Sequence, residues 1–115
     1  MSFNEAVINN LKLLDDIGKL DKNWDNYGAP GFKEKESLIR FCKEIVSCLG
    51  YNQASIFPTA RNSIQLEYEK ENGEYLEFEV YDTNMISYLQ INANQEEIEK
   101  EISSIAELKE IVLAF

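Results

Sequence analysis

The chain has 115 residues, 44% of them hydrophobic, which is enough for one domain with its own core. Its 21 acidic and 11 basic side chains leave a net charge of −10, which argues against direct binding to nucleic acid or anionic membranes and favours basic partners. No run of about 20 apolar residues could span a bilayer. The segment Met1-Ser2-Phe3-Asn4-Glu5 lacks the basic start and apolar run of a signal peptide, so a cytoplasmic protein is expected.

Ser2 and Glu5 form a Ser-x-x-Glu capping box. Phe3, Val7, Leu11, Leu14 and Ile17 recur at helical spacing and predict an amphipathic helix over 3–17, stopped by Gly18. From Leu20 to Gly31, turn formers and two aromatics replace any periodicity, so this stretch reads as an ordered loop. A second helix is predicted over 33–49, with Leu38, Phe41, Cys42, Ile45 and Leu49 on one face and Gly50 closing it. Cys42 and Cys48 point to different sides of that helix, roughly 120° apart. They read as two buried free thiols, which suits a reducing compartment.

After residue 54 the period changes to two. Ile64, Leu66 and Tyr68 alternate with polar residues, as do Leu76, Phe78 and Val80, giving two strands. If the even-numbered apolar residues share a face, the loop between the strands must be odd in length. Glu71-Asn72-Gly73 fits as a three-residue turn with Gly73 left-handed, so the register pairs Tyr68 with Leu76, Leu66 with Phe78 and Ile64 with Val80. A third strand covers 85–91 with ambiguous facing: Leu89 and Ile91 suggest one phase, Ile86 and Tyr88 the other. Ile56-Phe57 before Pro58 suits a short edge strand. Asn94 and Glu97 resemble a helix cap before Ile98, Ile102 and Ile105, predicting a terminal helix to about 113. Ser104 and Glu107 form a second capping box that breaks it near Ser103. The expected fold is a single α+β domain over 1–115. It is an antiparallel β-meander of three to four strands packed against two N-terminal helices and one C-terminal helix.

There is no histidine, and so no histidine general base, imidazole ligand or Ser-His or Cys-His pair. Two-cysteine zinc spacing and a glycine-rich phosphate loop are also missing from the sequence. The expectation is a non-enzymatic protein without cofactor or metal. The register places Glu67 opposite Glu77 and Gln65 opposite Glu79 on the non-core face, with Glu69 beside them. Like charges directly opposite one another destabilise a sheet. The structural reading is a solvated face screened by Lys70 or Arg61. The functional reading is an acidic platform for a basic protein, with Glu67, Glu69, Glu77 and Glu79 as the surface. Trp24 and Tyr27 are amphipathic groups of the kind that anchor interfaces, although a long loop also needs an internal plug. Asn23 and Asp25 suit bonds to loop amides, and Gly28 suits a positive φ.

Asn23-Trp24-Asp25-Asn26-Tyr27-Gly28-Ala29-Pro30 resembles the NWDxYGA motif of a group of small uncharacterised bacterial and phage proteins. The similarity continues through Pro58-Thr59 and Ile64-Gln65-Leu66-Glu67-Tyr68 and spans about 11–90. Asn62 stands where that group usually has glycine, and Tyr68 where it has tryptophan. The resemblance implies the setting of an antitoxin, immunity protein or phage inhibitor of host defence, and the acid-rich strands and net charge add the expectation that its partner is basic. The alternative is a homo-oligomeric structural module, because Ile111, Val112, Leu113 and Phe115 end the chain with an apolar cluster.

Overall fold

Three helices lie on one side of a five-stranded antiparallel sheet whose strands follow one another in chain order. The computed structural model describes residues 3–115, with side chains from Glu5 onward. The expected Ser2–Glu5 capping box lies outside the described residues.

Helix α1 spans Phe3–Ile17 and α2 spans Glu36–Leu49. On α1 the stripe Val7, Leu11, Leu14 and Ile17 faces the core, with Leu14 and Ile17 fully buried. α2 buries Leu38, Ile39, Cys42, Ile45, Val46 and Leu49, a broad stripe at helical spacing. Gly50 follows as the C-cap at φ 55° and ψ −116°, a positive-φ conformation that favours glycine. α2 begins three residues later than the sequence suggests. Phe32 is buried as a plug, and its N–H is taken by Leu20 O at 2.8 Å, which holds this stretch out of the helix. Both cysteines are free, but only Cys42 is buried. Cys48 is exposed, because six residues of helical rotation carry it off the buried stripe.

The strands are β1 (Ser55–Pro58), β2 (Ile64–Glu69), β3 (Tyr75–Val80), β4 (Ile86–Ile91) and β5 (Glu97–Ile102). The expected register of β2 on β3 is present, with Ile64↔Val80, Leu66↔Phe78 and Tyr68↔Leu76. β4 pairs Val80↔Ile86 and Phe78↔Tyr88, so its even-numbered residues face the helices and Leu89 and Ile91 face the other way.

Five strands stand where three to four were expected, because residues 97–102 are a strand rather than a helix. Ile98 and Ile102 are four apart, a spacing that suits one face of a helix and one face of a strand equally well. A hairpin decides between them. Asn92 Oδ1 accepts from the N–H groups of Asn94 and Glu96, Asn92 N–H donates to Glu96 O at 3.1 Å, and Gln95 takes φ 66°. The returning strand then sets Ile102 opposite the buried Ile86. Helix α3 follows, Ile105–Ala114. Ser104 is its N-cap and accepts from Glu107 N–H at 3.1 Å, as the capping box predicts. Leu108 and Val112 are buried and Ile111 and Phe115 pack on the core, so most of the terminal apolar cluster is used within the domain. Leu113 stays 61% exposed.

Close approach fixes the α1–α2 connection. A Cβ on Gly31 would stand 2.7 Å from both Leu20 O and Lys22 N. Gly31→Ala is therefore expected to cost about 2 kcal/mol or more in urea denaturation. Gly28→Ala, with φ 85° but nothing within 4 Å, should cost about 1 kcal/mol. Equal stabilities for the two variants would show that the chain does not cross itself as tightly at Gly31 as described.

Candidate functional site

All eight buried strand residues are even-numbered, and no odd-numbered strand residue is buried. The odd residues build a second face that no helix covers. One row across it runs Ser55, Glu67, Glu77, Leu89, Glu99. The next runs Phe57, Gln65, Glu79, Ser87, Glu101, and a third runs Glu69, Tyr75, Ile91, Glu97. Glu67, Glu69, Glu77 and Glu79 thus share one surface, as expected. Glu97, Glu99 and Glu101 join them. Sequence reasoning missed these three because it assigned them to a helix. The signal was present in the strict alternation of Glu97, Glu99 and Glu101 with Ile98, Lys100 and Ile102.

Charge follows this division. Residues 1–50 carry seven basic and eight acidic side chains, whereas residues 51–115 carry four and thirteen. Nearly all of the net charge therefore sits on the strand half. A shallow concavity of about 570 Å³ runs over β3–β5, lined by Glu77, Ser87, Leu89, Glu99 and Glu101 among others. Leu89 lies in it among the carboxylates of Glu77, Glu99 and Glu101, with Tyr88 and Lys100 also in the lining. Such a surface can pack the aliphatic stems of lysine and arginine while pairing their heads.

The carboxylates are held in three ways. Glu79, with its side chain only 12% exposed, accepts from Arg61 Nε at 2.8 Å and from the Ser63 hydroxyl. Burial pushes its carboxyl up, but the Arg61 and Ser63 hydrogen bonds and the Arg61 charge outweigh that and hold it below its ordinary 4.5. Glu77 accepts from the Tyr75 hydroxyl at 2.7 Å, and Glu67 accepts from Gln65 Nε2. Burial first, then the bond to Glu77, pushes the Tyr75 phenol up, so it stays a neutral donor. Arg61 is the expected screening residue. Lys70 instead pairs with Glu74 at 3.1 Å and lies over the Phe115 ring. Among the described residues no cluster of three acidic or thiol side chains could hold a metal ion.

Trp24 and Tyr27 lie elsewhere, in the α1–α2 connection. The Trp24 indole is half-buried against Phe32, its Nε1–H donating to Pro30 O at 3.0 Å. Asp25 Oδ1 accepts from the N–H groups of Tyr27 and Ala29, and Asn23 Oδ1 from Gly28 N–H. Ala29 is buried, and Gly28 has the positive φ expected of it. Each of these residues has work inside the loop. Tyr27 is 92% exposed. Its loop adjoins the β1–β2 turn, since Gly28, Pro30 and Asn62 line one concavity.

Comparison with protein-family models, with curated proteins and with solved structures finds no match to this chain. No helix among the described residues is long and apolar enough to cross a membrane.

Two outcomes check this site. A carboxyl held low in the folded state stabilises fully above its unfolded pKa and loses that contribution as pH falls through the folded value. Glu79→Gln should therefore cost about 1–2 kcal/mol at pH 7, and the gap should close below pH 4.5 in urea titrations. A gap unchanged at pH 3 would mean that Glu79 acts through packing rather than charge. Trp24→Ala should lower stability by about 3 kcal/mol, while Tyr27→Ala should stay within about 0.5 kcal/mol. A large loss at Tyr27 would give it a structural role that its exposure does not suggest.

Proposed function

We propose that this chain is a non-enzymatic protein-binding module that docks a basic macromolecular partner on the open, acidic face of its sheet and so neutralises or inhibits it. The observation that carries this reading is the uncovered face itself, with seven glutamates in three rows around Leu89, Ile91 and Tyr75. A face built only for solubility has no need of apolar side chains among its charges. A docking surface does, because apolar contact supplies affinity and the charged rim supplies steering and selectivity.

The way the glutamates are satisfied supports the same reading. Glu67 and Glu77 face each other in a non-hydrogen-bonding pair, the type that brings side chains closest. Their donors, Gln65 and Tyr75, are neutral. Hydrogen bonding is met while the negative charge remains, ready for lysine or arginine. Tyr27, exposed on its pinned loop, is a further contact residue, and Trp24 serves by holding that loop. The biological setting proposed is that of an antitoxin, an immunity protein or a phage inhibitor of host defence acting in the cytoplasm. The proposed partner is a basic protein such as a toxin or nuclease, with no direct contact to nucleic acid or membrane.

The first experiment is a pull-down of the tagged protein from its host at low and high salt, followed by affinity measurement on whatever basic protein is recovered. Charge reversal at Glu67→Lys and Glu77→Lys should leave the fold intact and weaken binding by about 100-fold or more, given coupling energies of about 1.5–7 kcal/mol for close interfacial charge pairs. Association should also slow as salt rises. An affinity that ignores both reversals would remove this face as the docking surface. Recovery of the bait alone would favour the homo-oligomeric module instead.

A further inference from the structure

The open edge at β5 deepens the reading of the sheet as a docking surface for a basic protein, and rests on it. Residues of an antiparallel ladder alternate between pairs that exchange backbone hydrogen bonds and pairs that do not. The Asn92 N–H bond to Glu96 O marks that pair as hydrogen-bonding. Along the same register, Gln90↔Ile98, Tyr88↔Lys100 and Ile86↔Ile102 are then hydrogen-bonding too. Glu97, Glu99 and Glu101 therefore turn their backbone N–H and C=O away from β4, toward the open edge. The same three residues place their side chains on the acidic face.

The opposite edge differs. Thr59 N–H donates to Ser63 O, so by the same alternation Ser55 and Phe57 bond to β2, and Ile56 and Pro58 face outward. Pro58 has no N–H to offer. β1 is only four residues long, and Asn10 Nδ2 from α1 already bonds to Ala54 O just before it. Natural sheets blunt their edges by proline, shortness, cover or charged side chains. β1 has the first three. β5 has only charge, in Glu97, Glu99, Lys100 and Glu101: it is six residues long, contains no proline and is exposed from Glu97 to Glu101.

A second copy suits this edge poorly. Antiparallel pairing of the outward backbone groups of one β5 with those of another sets glutamate opposite glutamate, which is destabilising. A basic strand reverses the sign. We propose that β5 accepts a strand from the basic partner, an extended segment with lysine or arginine at alternate positions. Its backbone pairs with Glu97, Glu99 and Glu101, and its basic side chains stand opposite those carboxylates. The intervening side chains face Ile98, which is 40% exposed on the helix side. Size points the same way. Five strands about 4.8 Å apart, all but β1 six residues long, give a face of roughly 400 Å² in projection, about half of the ~800 Å² that each partner of a stable complex buries.

The probe is the capped peptide Val-Lys-Thr-Lys-Val-Lys, with Lys-Lys-Lys-Val-Thr-Val as the control of equal charge. Both are titrated into the full chain and followed by amide hydrogen exchange in NMR. The alternating peptide should slow exchange at Glu97, Glu99 and Glu101 by about ten-fold or more, and leave Ile98 and Lys100, already bonded to β4, nearly unchanged. Glu99→Pro removes one outward N–H without touching the β4 ladder, and should weaken the alternating peptide by about ten-fold. Glu99→Gln keeps that N–H and should weaken it less. N-methylating the peptide on its β5-facing amides should abolish the protection even if Glu99→Pro fails to fold. Equal binding of both peptides, lost on Glu67→Lys and Glu77→Lys but without protection at β5, would overturn strand addition and leave the acidic face standing. No response from any strand amide to either peptide at millimolar concentration would overturn both.

Discussion

Every strand-to-strand connection in this sheet has the same odd length, and the chemistry of its two faces follows from that. The closing pairs are Thr59–Ser63, Lys70–Glu74, Tyr81–Met85 and Asn92–Glu96, each joined by an N–H to carbonyl bond. The left-handed residues Asn62, Gly73, Asn84 and Gln95 recur every eleven positions. Asparagine and glycine enter that conformation readily, while glutamine is held there by its hairpin. An odd connection pairs even-numbered residues with even-numbered ones, so apolar side chains stay on one face through all five strands. One residue more or fewer in any turn would carry the next strand's side chains to the opposite face.

That parity leaves glutamates together on the face without helices. Side by side they repel, yet few cations are placed among them. Arg61 holds Glu79 at one corner, and the other donors are neutral hydroxyl and amide groups. The helical half carries nearly balanced charge. The imbalance therefore belongs to residues 51–115, where seven of the thirteen acidic side chains share the open face.

The loop between α1 and α2 shows how one short run can be almost entirely local in purpose. Asn23 and Asp25 take up backbone N–H groups, Trp24 closes the loop onto Pro30, and Gly31 lets the chain pass Leu20 and Lys22. Buried Phe32 anchors the far end. A connection this long would otherwise lose much conformational entropy on folding, and here its own side chains supply the compensating bonds. Tyr27 joins that network through its N–H alone, and its side chain stands exposed outside it.

The α+β class, both N-terminal helices, the β2–β3 register with its Gly73 turn, and the Ser104 cap were all legible in the amino-acid order. Each depends on neighbours a few residues away: helical spacing, strand alternation, or a capping side chain reaching its own backbone. Four of the seven glutamates on the open face could be placed for the same reason. The facing of β4, the strand at 97–102, the burial of Trp24 and the exposure of Cys48 could not. Ile98 and Ile102 satisfy helical and strand periods alike, so only pairing with β4 across the Asn92–Glu96 turn decides between them. Local periodicity thus determined which elements form. Long-range backbone pairing decided the fifth strand, and with it the extent of the acidic face, because a register is a relation between segments that neither contains alone.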